Sequence, residues 1–538
     1  MKTKENGLSV FTPRIAISGG IAYNDLAVVV DATGLIVKSG ALQDVGGWVY
    51  AQRRDHHAKI VVEQVGGLLI PGLTDAHTHP ALYASLAMMS SVSLYGCTTV
   101  AEIINRLRPA PLSGSIIATG WNNSVVPSLS GRDLDEAFPD RKVIVYDPSF
   151  HGAIVSRPMG ADIEELLRSR PHVAGCLTKD GRATEDCGLA GMEVGESAFS
   201  QLELEMAIEA LLLKYLKQGI TGVHDLCMRT EMQIRAVLSL RNRWQEKYGF
   251  EFPITRIYLR PEHITFLVNN LPDLESEGLF TGSDFRRMVG LKLFADGSFG
   301  ARTAALSQPY LGTGCKGLWF DSPEYVEDSL CQAAKHGITT VAMHAIGDSG
   351  VQEALLTAKR WQKLASTRGF SQVFRIEHFE LPLPLKETLQ MAKDLGVWVC
   401  PQPNFLLDAP YRDRLGDRVE WICPHRAILD AEINTMTGTD GMPDSNLYAI
   451  YLATHAKYAH QRLSLPDAID AATVAVGRFE GDNRGTLAEG QKADLLVADE
   501  LLHKMLIEGD ADDVYDPNKI TALERQIKEV YKSGQPAR

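Results

Sequence analysis

The chain has 538 residues, more than one simple core accommodates, so two or three domains are expected. Its 45% hydrophobic and 22% charged composition is that of a soluble globular protein, and a formal net charge of −13 argues against a nucleic-acid binder, which needs a basic stripe. No apolar run is long enough to span a bilayer, and Met1-Lys-Thr-Lys-Glu-Asn-Gly7 lacks the apolar core and cleavage site of a secretory signal, so a cytoplasmic protein with no membrane partner is expected. Eight cysteines are scattered without CxxC spacing, which suits reduced thiols rather than a zinc knuckle or redox pair. Cys400, near a predicted strand end, reads as a packed small apolar residue.

The first seventy or so residues predict a small β unit, with a hairpin from Ala27-Val-Val-Val30 through Ala32-Thr-Gly34 to Leu35-Ile-Val-Lys38. The C-terminus has the same character. A turn-rich stretch from Gly485 to Asp494 leads into the strand Leu495-Leu-Val497, and a hairpin at residues 527–531 turns at Ser533-Gly534. Each end is too small for its own core, so residues 1–70 and 485–538 are expected to meet in one β-sandwich.

Between them, over residues 71–484, strands and helices alternate. Gly67-Leu-Leu-Ile70 leads toward His77, followed by strands ending near His224, Leu259, Phe294, Met343, Ile376, Val399 and Thr437. Eight such units fit a (β/α)8 TIM-like barrel within an α/β chain. An open doubly wound sheet is the rival, but it does not naturally converge side chains from strands one, four, five, six and eight. The gap after His77 is too long for one βα unit and holds strands of its own, so about residues 85–200 are expected to form a lid inserted over the barrel mouth.

Six stations stand at strand ends: His77, His79, Lys292, His344, His378 and Asp440. His77 and His79 are two apart on an extended segment, so both imidazoles face one way and can hold one ion. The Gly/Asp-rich context Pro71-Gly-Leu-Thr-Asp-Ala-His-Thr-His79 is where barrel active sites sit. A buried Lys292 beside metals loses its proton more readily, and its neutral amine can add carbon dioxide to form a carbamate that bridges two ions. Asp440 is a candidate ligand and general base. Each station also has a plainer reading: a salt-bridged lysine, satisfied core histidines, an Asx turn at Asp440.

Together these motifs resemble the metal-dependent amidohydrolase superfamily, and within it the branch that includes N-substituted formamide deformylase. The likeness runs over almost the whole chain. It rests on the first-strand signature ending at His79, Lys292-Leu-Phe-Ala-Asp-Gly-Ser-Phe-Gly-Ala-Arg-Thr-Ala-Ala305, His344-Ala-Ile-Gly-Asp348, Ile376-Glu-His378, Pro401-Gln-Pro403, Cys423-Pro-His-Arg426, Gly438-Thr-Asp440 and the closing Gly485–Asp494 segment. By that resemblance His77, His79 and Asp440 would hold the more buried of two divalent ions; imidazole, carboxylate and carbamate donors suit zinc but also accept manganese, iron or cobalt. His344 and His378 would hold the other, and Lys292 as N6-carboxylysine would bridge. Trp121 and His151 resemble residues lining a substrate pocket, with packing inside the lid as their plainer reading, and Asp296, Arg302 and Gln402 are assigned to that pocket as well. Asn122-Asn-Ser-Val-Val-Pro127 and Gly441-Met-Pro443 depart from the branch pattern, which leaves substrate preference open. A homodimer and a small-molecule substrate are the family-based expectations.

The implied reaction is metal-assisted hydrolysis of a non-peptide C–N bond, with Asp440 moving the proton. A decarboxylase or lyase on the same scaffold, a mononuclear deaminase and a catalytically silent binding protein are the alternatives.

Overall fold

The computed structural model describes residues 7–56, 59–63, 67–89, 92–110, 114–148, 150–168, 177–407, 411–509 and 516–537. The N-terminal segment read for a leader lies, apart from Gly7, outside them, as does Cys176.

An eight-stranded, all-parallel sheet forms the centre. Its strands, in order, are Leu73–Thr78, Ile220–Met228, Ile254–Leu259, Val289–Phe294, Thr340–Ala345, Val373–His378, Trp398–Cys400 and Asn434–Thr435. Each pairs with its sequence neighbour in the series. The sheet curls until its edges meet: Ala76 N–H donates to the Thr437 carbonyl at 3.2 Å, and Asp440 N–H to the His77 carbonyl at 2.7 Å. Such strands are covered on both faces, which is why most read as unbroken apolar runs.

Helices pack outside and share one core with the strands. Helical periodicity has a clear instance in Gln201–Lys217, whose Leu204, Ile208, Leu212 and Tyr215 are buried in the same apolar core as Trp244 of the next helix and Val223 of the second strand. Ser200 and Glu203 form a reciprocal capping box that starts this helix. Glu231–Tyr248 and Asp348–Arg368 each stop at a left-handed glycine, Gly249 and Gly369.

The two chain ends interleave. A six-stranded sheet runs in the order Gln535–Pro536, Ile527–Lys532, Leu495–Ala498, Leu68–Pro71, Ile15–Ser18, Ile21–Tyr23. Leu495–Ala498 pairs antiparallel with Leu68–Pro71, so C-terminal and N-terminal segments share hydrogen bonds. A four-stranded sheet is built from Gly7–Phe11, Leu26–Asp31, Ile36–Ala41 and Lys59–Glu63. Phe11, Val28, Val30 and Ile36 of the second sheet meet Leu69, Leu495, Val497 and Tyr531 of the first in one apolar cluster.

Three details differ from expectation. Leu68–Pro71 belongs to the end sheet, and the barrel-like sheet starts afresh at Leu73. Gly72 makes the step because a Cβ there would lie 2.4 Å from the Thr221 hydroxyl. The N-terminal unit is not all β, since Leu42–His56 is helical. Helices Glu500–Ile507 and Pro517–Glu524 likewise separate the last strands, burying Leu502, Leu506 and Leu523.

After the first central strand comes an inserted α/β unit. Its five-stranded sheet runs Arg182–Thr184, Gly152–Val155, Val143–Tyr146, Ile116–Thr119, Val92–Ser93. Polar bonds tie it to the centre: Arg229 reaches Asp186 at 3.0 Å and Glu193 at 3.3 Å, and Gln233 donates to Glu196 at 2.6 Å.

Candidate metal and active site

Strand alternation sends His77 and His79 to the same side, with ring centroids 5.4 Å apart. His79 Nε2 lies 3.0 Å from Asp440 Oδ1 and His77 Nε2 3.7 Å from it. Asp440 reaches them because the eighth strand is followed by Gly438-Thr-Asp440, with Asp440 at φ 55°. Gly438 is required by the close approach: a Cβ there would lie 2.4 Å from the His77 backbone nitrogen. Asp75 laces the same two strands, accepting from Thr439 N–H at 3.0 Å, Thr439 Oγ1 at 2.5 Å and His77 N–H at 3.2 Å.

His344 and His378 end neighbouring strands, and their rings are 4.3 Å apart. His378 is also 4.8 Å from the His77 ring, so four imidazoles run in an unbroken file. Regular alternation would turn His378 away from the side taken by Glu377. Its φ of 67° turns it back, a left-handed conformation uncommon for a non-glycine residue and concentrated at functional sites. Phe405 stacks nearly parallel on His378 at 5.7 Å.

Lys292 is fully buried on the fourth strand, its Nζ 4.8 Å from the Phe294 ring centre. Its charge acts on His77, His344, His378 and Asp440. Burial drives the Lys292 pKa down, against the pull of Glu377, Cys227 and Asp440. Burial also holds His77, His344 and His378 well below the usual imidazole range, in the neutral form that carries a ligating lone pair. At Asp440 burial works upward, but His77, His79 and Lys292 outweigh it and keep the carboxyl below its ordinary value.

The donor chemistry fits a divalent ion. Ligand atoms of His77, His79 and Asp440 all lie within 4.8 Å of one another. His79 Nδ1 and His378 Nδ1 are buried without a hydrogen-bond partner. His77, Glu377 and Cys400 form a second close group, but Glu377 is engaged by Arg375. Cys400 is packed with Ala76, Met436 and Val476, and burial raises its thiol pKa well above normal, so it behaves as a small apolar residue.

The five predicted substrate residues have different fates. His151, from the inserted unit, lies 5.5 Å from the His344 ring and holds Glu185 Oε2 at 2.6 Å through Nδ1. Gln402 is buried at the end of the seventh strand, its Nε2 donating to the Cys400 carbonyl at 2.6 Å and its Oε1 without a partner. Asp296 is buried, but its oxygens accept backbone N–H groups of Ile346 at 3.0 Å and of Gly347 and Ala305 at 2.8 Å, so it braces the loops around His344. Trp121 is not brought to the histidines. Its indole fills the core of the inserted unit with Leu94, Ile116 and Val143, and Nε1 donates to the Val126 carbonyl at 3.0 Å. Arg302 is exposed on a turn at φ 58°, because the loop reverses there and sends the side chain outward.

Glu377 and Arg375 join the site without having been expected there. Glu377 Oε2 is 2.6 Å from His77 Nδ1, and Arg375 grips both Glu377 oxygens. Arg375 Nη1 reaches His224 Nδ1 at 2.9 Å, and His224 Nε2 reaches Glu480 Oε1 at 3.0 Å. A signal was present: arginine and glutamate two apart in a strand that must be buried on both faces call for partners.

Comparison with known proteins agrees with this architecture. The chain is 24% identical over 516 residues to the putative amidohydrolase YtcJ of Bacillus subtilis, covering 89% of this chain and 93% of that protein. It is 25% identical over 518 residues to LONG AFTER FAR-RED 3 of Arabidopsis thaliana, covering 90% and 86%. An uncharacterized metal-dependent hydrolase from Pyrococcus furiosus superposes with a TM-score of 0.65 at 22% identity, over 91% of this chain and 99% of that one. The model of the amidohydrolase family matches residues 64–538, and the chain belongs to that family.

Proposed function

We propose that this protein is a metal-dependent hydrolase that cleaves a non-peptide C–N bond, of amide or formamide type, in a small molecule. The observation that carries this reading is the convergence of His77, His79 and Asp440 within 4.8 Å, continued by the His344–His378 pair. The resemblance of the Pyrococcus furiosus neighbour, itself described as a metal-dependent hydrolase, adds support.

His77, His79 and Asp440 would hold one ion, His344 and His378 the other, and Lys292 as N6-carboxylysine would join them. Zinc suits imidazole and carboxylate donors. When bound, the ions supply Lewis acidity and make water acidic enough to deprotonate near neutral pH. The chain's residues do the rest. Asp440 takes the proton as water attacks the carbonyl carbon, then returns it to the nitrogen that leaves as amine. His151, held by Glu185, donates to the carbonyl oxygen. The inserted unit acts as a lid over this mouth, with Gln402 at its floor, and the chain ends form a separate β-sandwich.

A panel of N-formyl and N-acyl amines, read by released amine, tests the proposal. Amine release that is lost on chelation and restored by zinc is the expected result. Carbon dioxide release without amine would point to decarboxylation instead. A metal-free chain that ignores added zinc would end the reading.

A further inference from the structure

Glu377 and Arg375 are both fully buried, as is the His77 ring they serve. Burying such a pair yields little net stability, because desolvation offsets the attraction. Their geometry gives them another use. Three donors converge on the two Glu377 oxygens. Arg375 Nε binds Oε1, while Arg375 Nη2 at 2.8 Å and His77 Nδ1 at 2.6 Å share Oε2. A carboxylate only accepts, so the His77 proton must sit on Nδ1. The lone pair then remains on Nε2, the atom 3.7 Å from Asp440 Oδ1. Arg375 Nη2 also donates to the Ala76 carbonyl at 2.6 Å, fixing the backbone that carries His77. Behind it, Tyr258 at 3.3 Å and His224 at 2.9 Å hold the other guanidinium nitrogen, so the fork cannot swing.

We propose that Arg375 and Glu377 act as one positioning unit for His77, keeping its Nε2 lone pair aimed at the ion that His77 and Asp440 would share. This role presupposes the metal site proposed above. It adds that affinity for one of two ions is set by residues that touch neither. Removing the hydrogen-bond partner of a ligating histidine typically changes metal affinity by about 10–100-fold.

Metal-free full-length chain is titrated with zinc against a chromophoric chelator. Wild type is expected to take up two ions. Glu377→Gln is nearly isosteric but leaves one accepting atom for three donors. It is expected to weaken one ion by about 10–100-fold and leave the other unchanged, even though the metal-free thermal midpoint falls because the buried Arg375 charge loses its carboxylate. Arg375→Met should give the same pattern, and the double variant should be no weaker than the worse single one, because the two residues act as a unit. If Arg375→Met does not fold, Glu377→Gln decides. A Glu377→Gln chain that binds both ions like wild type overturns the proposal while the metal reading stands. So does equal weakening of both ions. A wild-type chain that takes up no zinc overturns the metal reading itself, and the positioning role with it.

Discussion

Glu377 and His378 are adjacent in sequence, yet both address His77: Glu377 Oε2 lies 2.6 Å from its Nδ1, and the His378 ring lies 4.8 Å from its ring. The positive φ at His378 makes this possible by cancelling the alternation of the strand. One strand end thus supplies a candidate ligand and the partner of another.

Asp440→Asn is expected to lower turnover by about two to four orders of magnitude, since an amide cannot shuttle the proton. Metal analysis must accompany the kinetics. Near-normal turnover with metal retained would remove Asp440 from the role of general base.

His151 predicts an alkaline limb. Burial lowers its pKa, but Glu185 and Asp147 outweigh burial and leave it at about 9. The imidazolium that donates to a carbonyl oxygen is therefore present at neutral pH and lost as pH rises through about 9. kcat/KM should fall over that range, and Glu185→Gln should move the fall to lower pH. A limb unmoved by Glu185→Gln would exclude His151 as its source.

His224, which holds Arg375, predicts an acid weakness. Burial lowers its pKa to about 4, although Glu480 pulls the other way. In the unfolded chain a histidine titrates near 6.5, so between about 6.5 and 4 the unfolded state binds more protons. Stability contributed by neutral His224 is present above that window and falls as pH drops through it, by about 3 kcal/mol in full. Glutamine can accept from Arg375 and donate to Glu480 as the imidazole does. His224→Gln should therefore lose less of its thermal midpoint than wild type between pH 7 and pH 4.5. Asp75, raised by burial to about 7, contributes the opposite slope but is common to both chains. Parallel midpoint curves would refute the assignment.

Trp121→Ala is expected to destabilise the inserted unit by about 3–5 kcal/mol through the cavity it leaves. Trp121→Phe should cost about 1 kcal/mol for the lost bond to Val126, with KM near wild type. Circular dichroism melts and steady-state kinetics check both. A KM change in Trp121→Phe without a stability change would return the indole to the substrate pocket.

By itself the sequence pointed to the amidohydrolase family and to the alternating architecture. His77, His79, Lys292, His344, His378 and Asp440 are each flagged by a short local pattern, a strand followed by a turn, and such patterns need no knowledge of distant contacts. Side-chain partnership was decided only by the tertiary structure. Trp121 and a pocket-lining tryptophan look alike in sequence, because a core and a cleft are filled by the same apolar residues. Arg375, Glu377 and His224 become legible as a network only once the curl of the sheet brings side chains of strands two, three and six into contact. Asp296 was legible as a charged group near the site, but its backbone N–H partners on two loops, and its Oδ1 3.7 Å from His344 Nε2, were not. The physical reason is common to all of these. A local motif encodes which groups are present and where the backbone turns. Which buried charge meets which donor depends on residues up to hundreds of positions apart, brought together by the curl of one sheet.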